Sequence, residues 1–351
     1  MKASKATNGL LIGFALVVML IYGKTLIVPF VVALIFWFLI KEIRDLLKRI
    51  KFVRNKVHNI ILNAFGFILI FAIIGGIVKI LSVNIQQLST LIPVYQENFM
   101  GITQSINTTF NIDIISSVKE VLGEFQYTKL LSRLFNSLTD LFGDAFLIII
   151  YTLFLLLEEP FFSKKLKAIY QQPGELNEVS SMLSEVDKSI GHYLSLKTLM
   201  SFLTGLLSYF ALLFIGIDAP LFWAFLIFIM NFIPTVGSLV ATLFPAIFAM
   251  LQFGELIPGV WVLAIVGLIQ LVVGNYIDPK LTGDSLNVSP LVVIIGLAFW
   301  GAIWGIIGMI LSVPISVMLI VIFSEFPSTR PLAIMLTKNG RIRYKKDREK
   351  Q

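Results

Sequence analysis

Residues 291–323 read LVVIIGLAFWGAIWGIIGMILSVPISVMLIVIF, a run of 33 residues without a charged side chain. A bilayer core about 30 Å thick is crossed by roughly 20 helical residues, so this run is too long for one simple spanning helix. Shorter apolar runs recur along the 351-residue chain, which is 57% hydrophobic and only 14% charged. The composition predicts an all-α polytopic membrane protein with about eight transmembrane helices, broken or re-entrant segments and an external helical insert.

The apolar segments also raise the question of how often the chain crosses the membrane. The two long blocks, 221–251 and 290–325, could each be one broken span or a helical hairpin. If each block is a single span, the chain has eight crossings. If only one of the blocks is a hairpin of two spans, the C-terminal tail lies outside. We expect an uncleaved first span, because no small-residue cleavage site follows it. The segments are roughly 10–22, 26–40, 59–80, 143–157, 198–216, 221–251, 256–277 and 290–325.

The basic residues predict the orientation. Residues 41–59 and 338–351 each carry seven Lys or Arg and two acidic residues, whereas 81–142 carries three and five. Because basic loops stay in the cytoplasm, we expect both termini inside and 81–142 outside a multi-pass protein of the inner or plasma membrane. This placement accounts for most of the net charge of +7. It therefore favours membrane lipid, and not nucleic acid, as the partner of the basic residues.

Three regions follow from this topology. Membrane spans 1–3 lie in 1–80, the external amphipathic helical insert in 81–142, and the C-terminal spans in 143–351. The last region includes a cytoplasmic helical segment, 158–197, and the basic tail, 338–351. Apolar residues recur in alternating steps of four and three through the insert, which predicts either packing within the chain or contact between subunits. They are Leu81, Ile85, Leu88, Ile92, Tyr95, Phe99, Ile102, Ile106 and Phe110.

The sequence offers little for catalysis. With two histidines and no cysteine, it excludes a multi-histidine or cysteine metal site. Gly23–Thr25 lacks the leading glycine of a phosphate loop, and Leu281–Asp284 lacks the first glycine of the GxGD pattern of intramembrane aspartyl proteases. We therefore predict no enzyme, metal or cofactor, and expect transport energy from an ion gradient or a partner chain.

The stretch NFIPTVGS, residues 231–238, predicts a break in the block 221–251. Pro234 lacks an amide hydrogen and Gly237 tolerates unusual backbone angles. Irregular backbone at membrane depth is tolerated where it is buried in protein or lines water, and broken helices hold substrate in many secondary transporters. A simple turn at the membrane surface is the alternative.

The next span ends in GNYIDPKLTGDSLNVSP, residues 274–290. Gly267, Gln270, Gly274 and Asp278 follow helical steps of three, four and four, which places them on one face, with Asn275 beside Asp278. Polar groups within a span usually face the bundle interior or a cavity. Alternatively, Asn275 and Asp278 only cap the helix at the water boundary.

Small residues line the last block at the same helical spacing. Such a stripe lets another helix approach closely and has no chemistry of its own, so packing is favoured over a ligand site. The stripe comprises Ala298, Gly301, Gly305, Gly308, Ser312 and Ser316, of which Gly301, Gly305, Gly308 and Ser312 are the predicted packing residues.

The chain resembles a known family at two stretches, NFIPTVGSLVATLFPAIFAML from residue 231 and the run from GNYIDPKLTGDSLNVSP to Phe323. Both resemble the autoinducer-2 exporter family. The resemblance implies eight spans, cytoplasmic termini, a homo-oligomer and efflux of a signalling molecule. The family's Pro-x-x-Gly turn falls on Pro234 and Gly237, and its Asp-Pro element on Asp278 and Pro279.

These observations together predict a secondary transporter that exports a small solute or an autoinducer-2-like molecule, coupled to a proton or sodium gradient. Asp278 would bind the ion while amide and hydroxyl groups orient the substrate. A non-transporting scaffold that assembles through the external helices is the alternative, and it would have a dry interior at Asp278. The candidate substrate and ion residues are Asn231, Pro234, Thr235, Gly237, Gln270, Asn275, Asp278, Pro279 and Asp284.

Overall fold

The computed structural model describes residues 2–110, 145–170, 172–278, 280 and 287–340. Apart from one isolated β-bridge, the regular structure of these residues is helical, which confirms the all-α prediction. We number the helices α1 Lys2–Tyr22, α2 Lys24–Lys48, α3 Lys51–Lys56, α4 Asn59–Thr90, α5 Ile92–Phe110, α6 Ala145–Ile169, α7 Pro173–Ile215, α8 Pro220–Met230, α9 Val236–Phe253, α10 Leu256–Val272, α11 Pro290–Glu325 and α12 Arg330–Leu336. A π-helical turn, Val273–Ile277, continues α10.

Seven helical segments in the described part are long and apolar enough to cross a membrane. Their large apolar side chains are widely exposed, as lipid-facing surfaces require. The polytopic prediction is thereby confirmed. The seven segments are Lys24–Lys48, Asn59–Leu88, Ala145–Ile169, Gly174–Ile215, Val236–Phe253, Leu256–Ile277 and Pro290–Glu325.

The chain divides into two compact units that are discontinuous in sequence. The first unit combines Met1–Ile70, Gly143–Ser195 and Asp284–Gln351, and the second combines Phe71–Phe142 and Leu196–Gly283. Two of the four boundaries between the units fall inside helices, one in α4 and one in α7. Residues expected to form the cytoplasmic segment 158–197 belong to the end of α6 and the start of α7, which are continuations of two candidate spans.

In the first unit, α2 and α4 pack side by side in opposite directions. Arg44 contacts Asn63 while Gly66, further along α4, lies against Ile40, earlier on α2. Arg44 is buried, and its guanidinium donates to both carboxylate oxygens of Glu159 on α6 at 2.9 and 3.0 Å. A buried cation requires such a partner, because an unpaired charge is costly in a medium of low polarity. The contact therefore joins three helices at one end of the unit.

Helix α11 folds back on itself at Gly305, whose φ of 65° and ψ of −142° interrupt the helix. A Cβ on Gly308 would lie 1.9 Å from the carbonyl oxygen of Trp300, and one on Gly296 would lie 3.5 Å from Ser316 Oγ. Twenty residues of straight helix span about 30 Å, so these contacts require two antiparallel arms. We call α11 the second hairpin. The structure thus answers the question that block 290–325 left open.

The stripe of small residues lies largely between the arms of this hairpin. A Cβ on Gly301 would contact Met309, and Gly308 and Ser312 are buried. Gly305 differs from the packing role expected for it, because it is exposed and a Cβ there would meet nothing within 4 Å. Its role is instead the turn, since this backbone conformation is essentially restricted to glycine.

The segment predicted to be external continues α4 into α5, and α5 packs on α9 of its own chain in the second unit. The rings of Tyr95 and Phe248 are 5.0 Å apart, and the Asn98 amide donates to the carbonyl oxygens of Leu251 and Gln252 at 2.9 and 3.0 Å. These contacts favour packing within the chain over contact between subunits for this part of the seam. Four seam residues seven apart are buried, namely Leu81, Leu88, Tyr95 and Ile102.

Candidate functional site

The block 221–251 is a helical hairpin, which we call the first hairpin. Its helices α8 and α9 are antiparallel, because the rings of Trp223 and Phe248 are 4.8 Å apart while Met230 and Gly237 meet near the tip. Helix α8 has only 11 residues, about 16 Å of helix, which is too short to cross a bilayer core. Of the two alternatives left open for this block, one broken span or a helical hairpin, the structure has the hairpin, with the helix interrupted near Pro234.

The tip of the first hairpin contains Pro234, where the helix is interrupted, and Gly237, which lies in the first turn of α9. Thr235, next to Pro234, has φ 58° and ψ −60°, a conformation that β-branched residues strongly disfavour. The Thr235 hydroxyl donates to the Pro234 carbonyl, and the Ser238 hydroxyl donates to the Thr235 carbonyl. Local hydrogen bonds thus replace part of the lost helical ladder, and the Thr235 side chain is exposed.

Gly237 permits the close approach of the two hairpin arms. A Cβ at this position would lie 1.8 Å from the carbonyl oxygen of Met230, closer than two non-bonded atoms can approach. Gly237 is itself buried and has an ordinary helical backbone, so the requirement here is for space. The Pro-x-x-Gly spacing therefore encodes a tight reversal whose glycine touches the end of the preceding helix.

The base of the first hairpin is closed by side chains that bond to backbone. Gln252, near the end of α9, accepts from the Asp218 amide and donates to the Gly216 carbonyl, each at 2.8 Å. Asp218 in turn accepts a hydrogen bond of 2.9 Å from the Tyr95 hydroxyl of α5. The base is thus fixed to α5 and to the end of α7.

One face of α7 packs on the first hairpin. A Cβ on Gly205 would lie 3.1 Å from the Ala224 carbonyl oxygen, so the two helix backbones are close. One turn earlier, Ser201 is fully buried, and its hydroxyl accepts a hydrogen bond of 3.1 Å from the Asn231 amide. Asn231 follows the last residue of α8, so this contact anchors the tip region to α7.

One turn before Ser201, on the same face of α7, the Lys197 side chain contacts Asp278. Its ammonium nitrogen lies 3.3 Å from Asp278 Oδ2, and the two side chains are 13% and 24% exposed. Lys197 and Ser201 are four residues apart, about 6 Å along the axis, and therefore share a face. Helix α7 thereby brings together the two polar elements that lie at 231–238 and 274–278 in the sequence.

The π-helical turn alters the polar face predicted for the end of α10. A π-turn inserts an extra residue into the helical repeat, so residues beyond it are rotated relative to the α-helical projection. Gln270, before the turn, is buried, and its Nε2 has no hydrogen-bond partner among the described residues. Gly274 and Asn275 are exposed, whereas Asp278 is half-buried. Asn275 thus does not share the surroundings of Gln270.

The remaining candidates and one cavity of the first unit lie elsewhere. Pro279 and Asp284 fall outside the described residues. A cavity of about 480 Å³ lies in the first unit, between the last turns of α2 and residues 187–192 of α7, beside the 2.7 Å ion pair of Lys41 and Asp187. None of the predicted site residues lines this cavity.

Sequence reasoning missed Lys197 as the partner of Asp278. The sequence does contain a signal for Lys197, because it is the one charged residue of α7 beyond Lys188 and immediately precedes an apolar run. A lone charge beside a span is expected to have a partner. The choice of Asp278 over other carboxylates, however, depends on how α7 and α10 pack.

Known proteins resemble this chain over most of its length. The family model described as "AI-2E family transporter" matches residues 10–328. The AI-2 transport protein TqsA of Escherichia coli K12 is 28% identical over 322 residues, 90% of each protein. A putative transport protein of Haemophilus influenzae is 27% identical over 338 residues, 93% of this chain and 95% of the relative. Another, from Borreliella burgdorferi, is 29% identical over 246 residues, 70% of this chain and 67% of the relative.

Proposed function

Because the chain belongs to the AI-2E transporter family and is thus a membrane transporter, we propose that it exports a small polar solute by exchange with protons or sodium ions. The site would lie where α7 meets the tip of the first hairpin and the end of α10. The observation that carries this proposal is the half-buried Lys197–Asp278 ion pair, one helical turn from the Ser201–Asn231 contact.

The ion pair supplies the coupling element because the carboxylate can exchange its cation. A proton or sodium ion that binds Asp278 must displace the Lys197 ammonium, which is then left mostly buried without its counter-ion. An unpaired buried charge is costly, so the site favours a state in which Lys197 finds another acceptor or reaches water. Ion binding and a change in the α7 face would therefore be linked.

The first hairpin is the proposed substrate element. Its tip offers the exposed Thr235 hydroxyl, and Asn231 bonds to the same face of α7 that holds the ion pair. Gln270 contributes a buried amide nitrogen that has no hydrogen-bond partner in the described part of the chain, and an unsatisfied donor of this kind favours binding of an oxygen atom. In the proposal, Asn231, Thr235 and Gln270 orient a neutral polar solute. Autoinducer-2 is the first candidate solute, because a relative is named for its transport.

We propose that both termini are cytoplasmic and that the protein lies in the cell membrane. A hairpin returns to the side where it started, so each hairpin adds an even number of crossings. The sequence-based count assigned one crossing to each of the blocks 221–251 and 290–325. Replacing both single crossings by hairpins changes the total by an even number, so both termini stay on the same side of the membrane. The Lys and Arg of 41–59 and of 338–351 then stay on one side, as the positive-inside rule favours.

We also propose a homo-oligomer, as the family resemblance implies. The seam residues of α5 that pack on α9 would not form its interface, since their own chain already covers them. The same contact weakens the scaffold alternative for residues 81–110, because that alternative needs the external seam to be free for another subunit.

Transport by purified protein in proteoliposomes tests the proposal. Efflux of autoinducer-2 and of other small polar solutes is measured under imposed proton or sodium gradients. Asp278→Asn keeps the size and capping ability of the side chain but removes its charge. We expect this variant to reach the membrane and to lose gradient-driven flux.

Asp278→Ala and Asn275→Asp serve as controls. If Asp278 is only a helix cap, the Asn variant transports normally and the Ala variant loses stable protein. Asn275→Asp introduces a carboxylate at an exposed position nearby, and we expect it to leave coupling intact. Normal coupled flux in Asp278→Asn would remove Asp278 from the mechanism and leave the first hairpin as the remaining candidate.

A further inference from the structure

Five basic residues, at the end of α2 and in the segment between α2 and α4, lack an ion pair within the described part of the chain. We call residues 48–58, KRIKFVRNKVH, the basic link; it contains α3 and no acidic residue. The five are Lys48, Arg49, Lys51, Arg54 and Lys56.

Basic residues earlier on α2 behave differently. Lys41 pairs with Asp187 at 2.7 Å, and Arg44 is held by both oxygens of Glu159. These two cations are neutralised inside the first unit. The structure therefore divides the basic cluster of 41–59 into an inner part that joins helices and an outer part, the basic link, whose cations have no carboxylate partner among the described residues.

The position of the basic link follows from the helices that it joins. Helices α2 and α4 are both candidate spans and run antiparallel, so the ten residues between them lie at one face of the membrane. Exposed apolar residues begin at once on both sides, with Leu46 on α2 and Ile60 on α4. The basic link is thus confined to the height of the lipid headgroups.

The link also presents apolar side chains among its cations. Ile50 and Phe52 are 55% and 65% exposed, and the Lys56 ammonium lies 5.1 Å from the centroid of the Phe52 ring. A short element with exposed aromatic and basic side chains is typical of the membrane interface, where the apolar part enters the acyl boundary and the cations meet phosphates.

We propose that the basic link binds the headgroups of anionic phospholipids, with Ile50 and Phe52 inserted at the acyl boundary. The inference does not depend on the transported solute or on the coupling ion. Charge complementarity and the confinement of the link to headgroup depth favour this partner over a soluble polyanion.

The test uses the full-length protein in mild detergent, to which phosphatidylglycerol or phosphatidylcholine is added in mixed micelles. The readout is the lipid concentration that gives half of the maximal rise in unfolding temperature. We expect phosphatidylglycerol, and not phosphatidylcholine, to raise the unfolding temperature of the wild type. The triple variant Lys51→Gln, Arg54→Gln, Lys56→Gln should need at least about tenfold more phosphatidylglycerol, because each basic residue near an anionic surface strengthens binding by roughly fivefold.

A matched variant controls for the loss of three charges. Lys24, Lys79 and Arg330 are exposed basic residues outside the link, and replacing all three by Gln should leave the phosphatidylglycerol response within about twofold of the wild type. Lys51→Arg with Lys56→Arg keeps the charge and should also keep the response. Equal responses of the two Gln variants would overturn the proposal. An equal rise with inorganic phosphate at the same phosphate concentration would also overturn it, because a lipid surface is then not required.

Discussion

Lys197 Nζ lies 3.3 Å from Asp278 Oδ2, although 81 residues separate the two in the chain. The pair links α7 to the end of α10, and both side chains are mostly buried. Interactions of this kind contribute little at an exposed surface, but removing one partner of a buried pair is costly. The pair therefore makes a prediction about stability that is separate from transport.

Lys197→Gln and Asp278→Asn should each lower the free energy of unfolding by about 1–2 kcal/mol, because each breaks a mostly buried ion pair. The double variant should lose clearly less than the sum of the two, since no unpaired charge remains. Denaturant unfolding in detergent, followed by helical circular dichroism, measures the three values. Strict additivity would mean that the two residues do not interact in the folded protein.

Gly237→Ala should destabilise the first hairpin by at least about 2 kcal/mol, because the new methyl group would overlap the Met230 carbonyl. Gly75→Ala is the matched control, since Gly75 lies within α4 and a Cβ there meets nothing within 4 Å. The control should be neutral or stabilising by up to about 1 kcal/mol, as alanine favours helix more than glycine does. Equal unfolding temperatures for the two variants would refute the tight reversal.

Gly305→Ala tests the second hairpin through the backbone alone. A Cβ at Gly305 has open space around it, so the expected loss of about 1–3 kcal/mol comes from the strained φ and ψ. Gly76→Ala, at another open position in α4, serves as the control. If Gly305→Ala unfolds at the wild-type temperature, α11 does not need the glycine conformation at its turn.

Tyr95 predicts a dependence of stability on alkaline pH. Burial raises the pKa of the Tyr95 phenol, and its hydrogen bond to Asp218 raises the pKa further. The folded state therefore keeps a proton that the unfolded state releases above about pH 10, the ordinary tyrosine pKa. This contribution to stability is fully present below pH 10 and is lost as pH rises from there towards the folded-state pKa.

Unfolding temperatures between pH 8 and pH 11 measure this effect in the wild type and in Tyr95→Phe. At pH 8 the variant should be less stable by about 1 kcal/mol, because it lacks the hydrogen bond to Asp218. The difference should shrink above pH 10 as the wild type loses its advantage. Parallel curves across the whole range would contradict the assigned role of the phenol.

Single cysteines test the proposed orientation, since the natural sequence contains none. Lys56→Cys lies in the basic link, Asn339→Cys precedes the basic tail, and Met100→Cys lies on α5, all at exposed positions. In intact cells an impermeant thiol reagent should label only position 100. Labelling of position 56 or 339 in cells that have not been permeabilised would contradict the proposed cytoplasmic location of these positions.

The sequence alone determined the properties that depend on short stretches of chain. Membrane residence follows from local apolar runs, and the break near Pro234 and Gly237 follows from residues that cannot continue a helix regularly. Gly305 shows the limit of such reasoning, because helical spacing placed it on a packing stripe. Spacing assumes that the helix continues, whereas the chain reverses at that glycine.

Only the tertiary structure decided which distant side chains meet. Asp278 was a candidate from its place at the end of a span, but its partner Lys197 depends on the packing of α7 against the end of α10. The fold also decided that Gln270 is buried while Gly274, predicted to share its face, is exposed within the π-turn. Hydropathy is a sum over neighbours in sequence and can be read from the chain directly. Contacts between helices depend on the rotation, axial register and crossing angle of each helix. Many side chains set these together, so only the tertiary structure reveals the contacts.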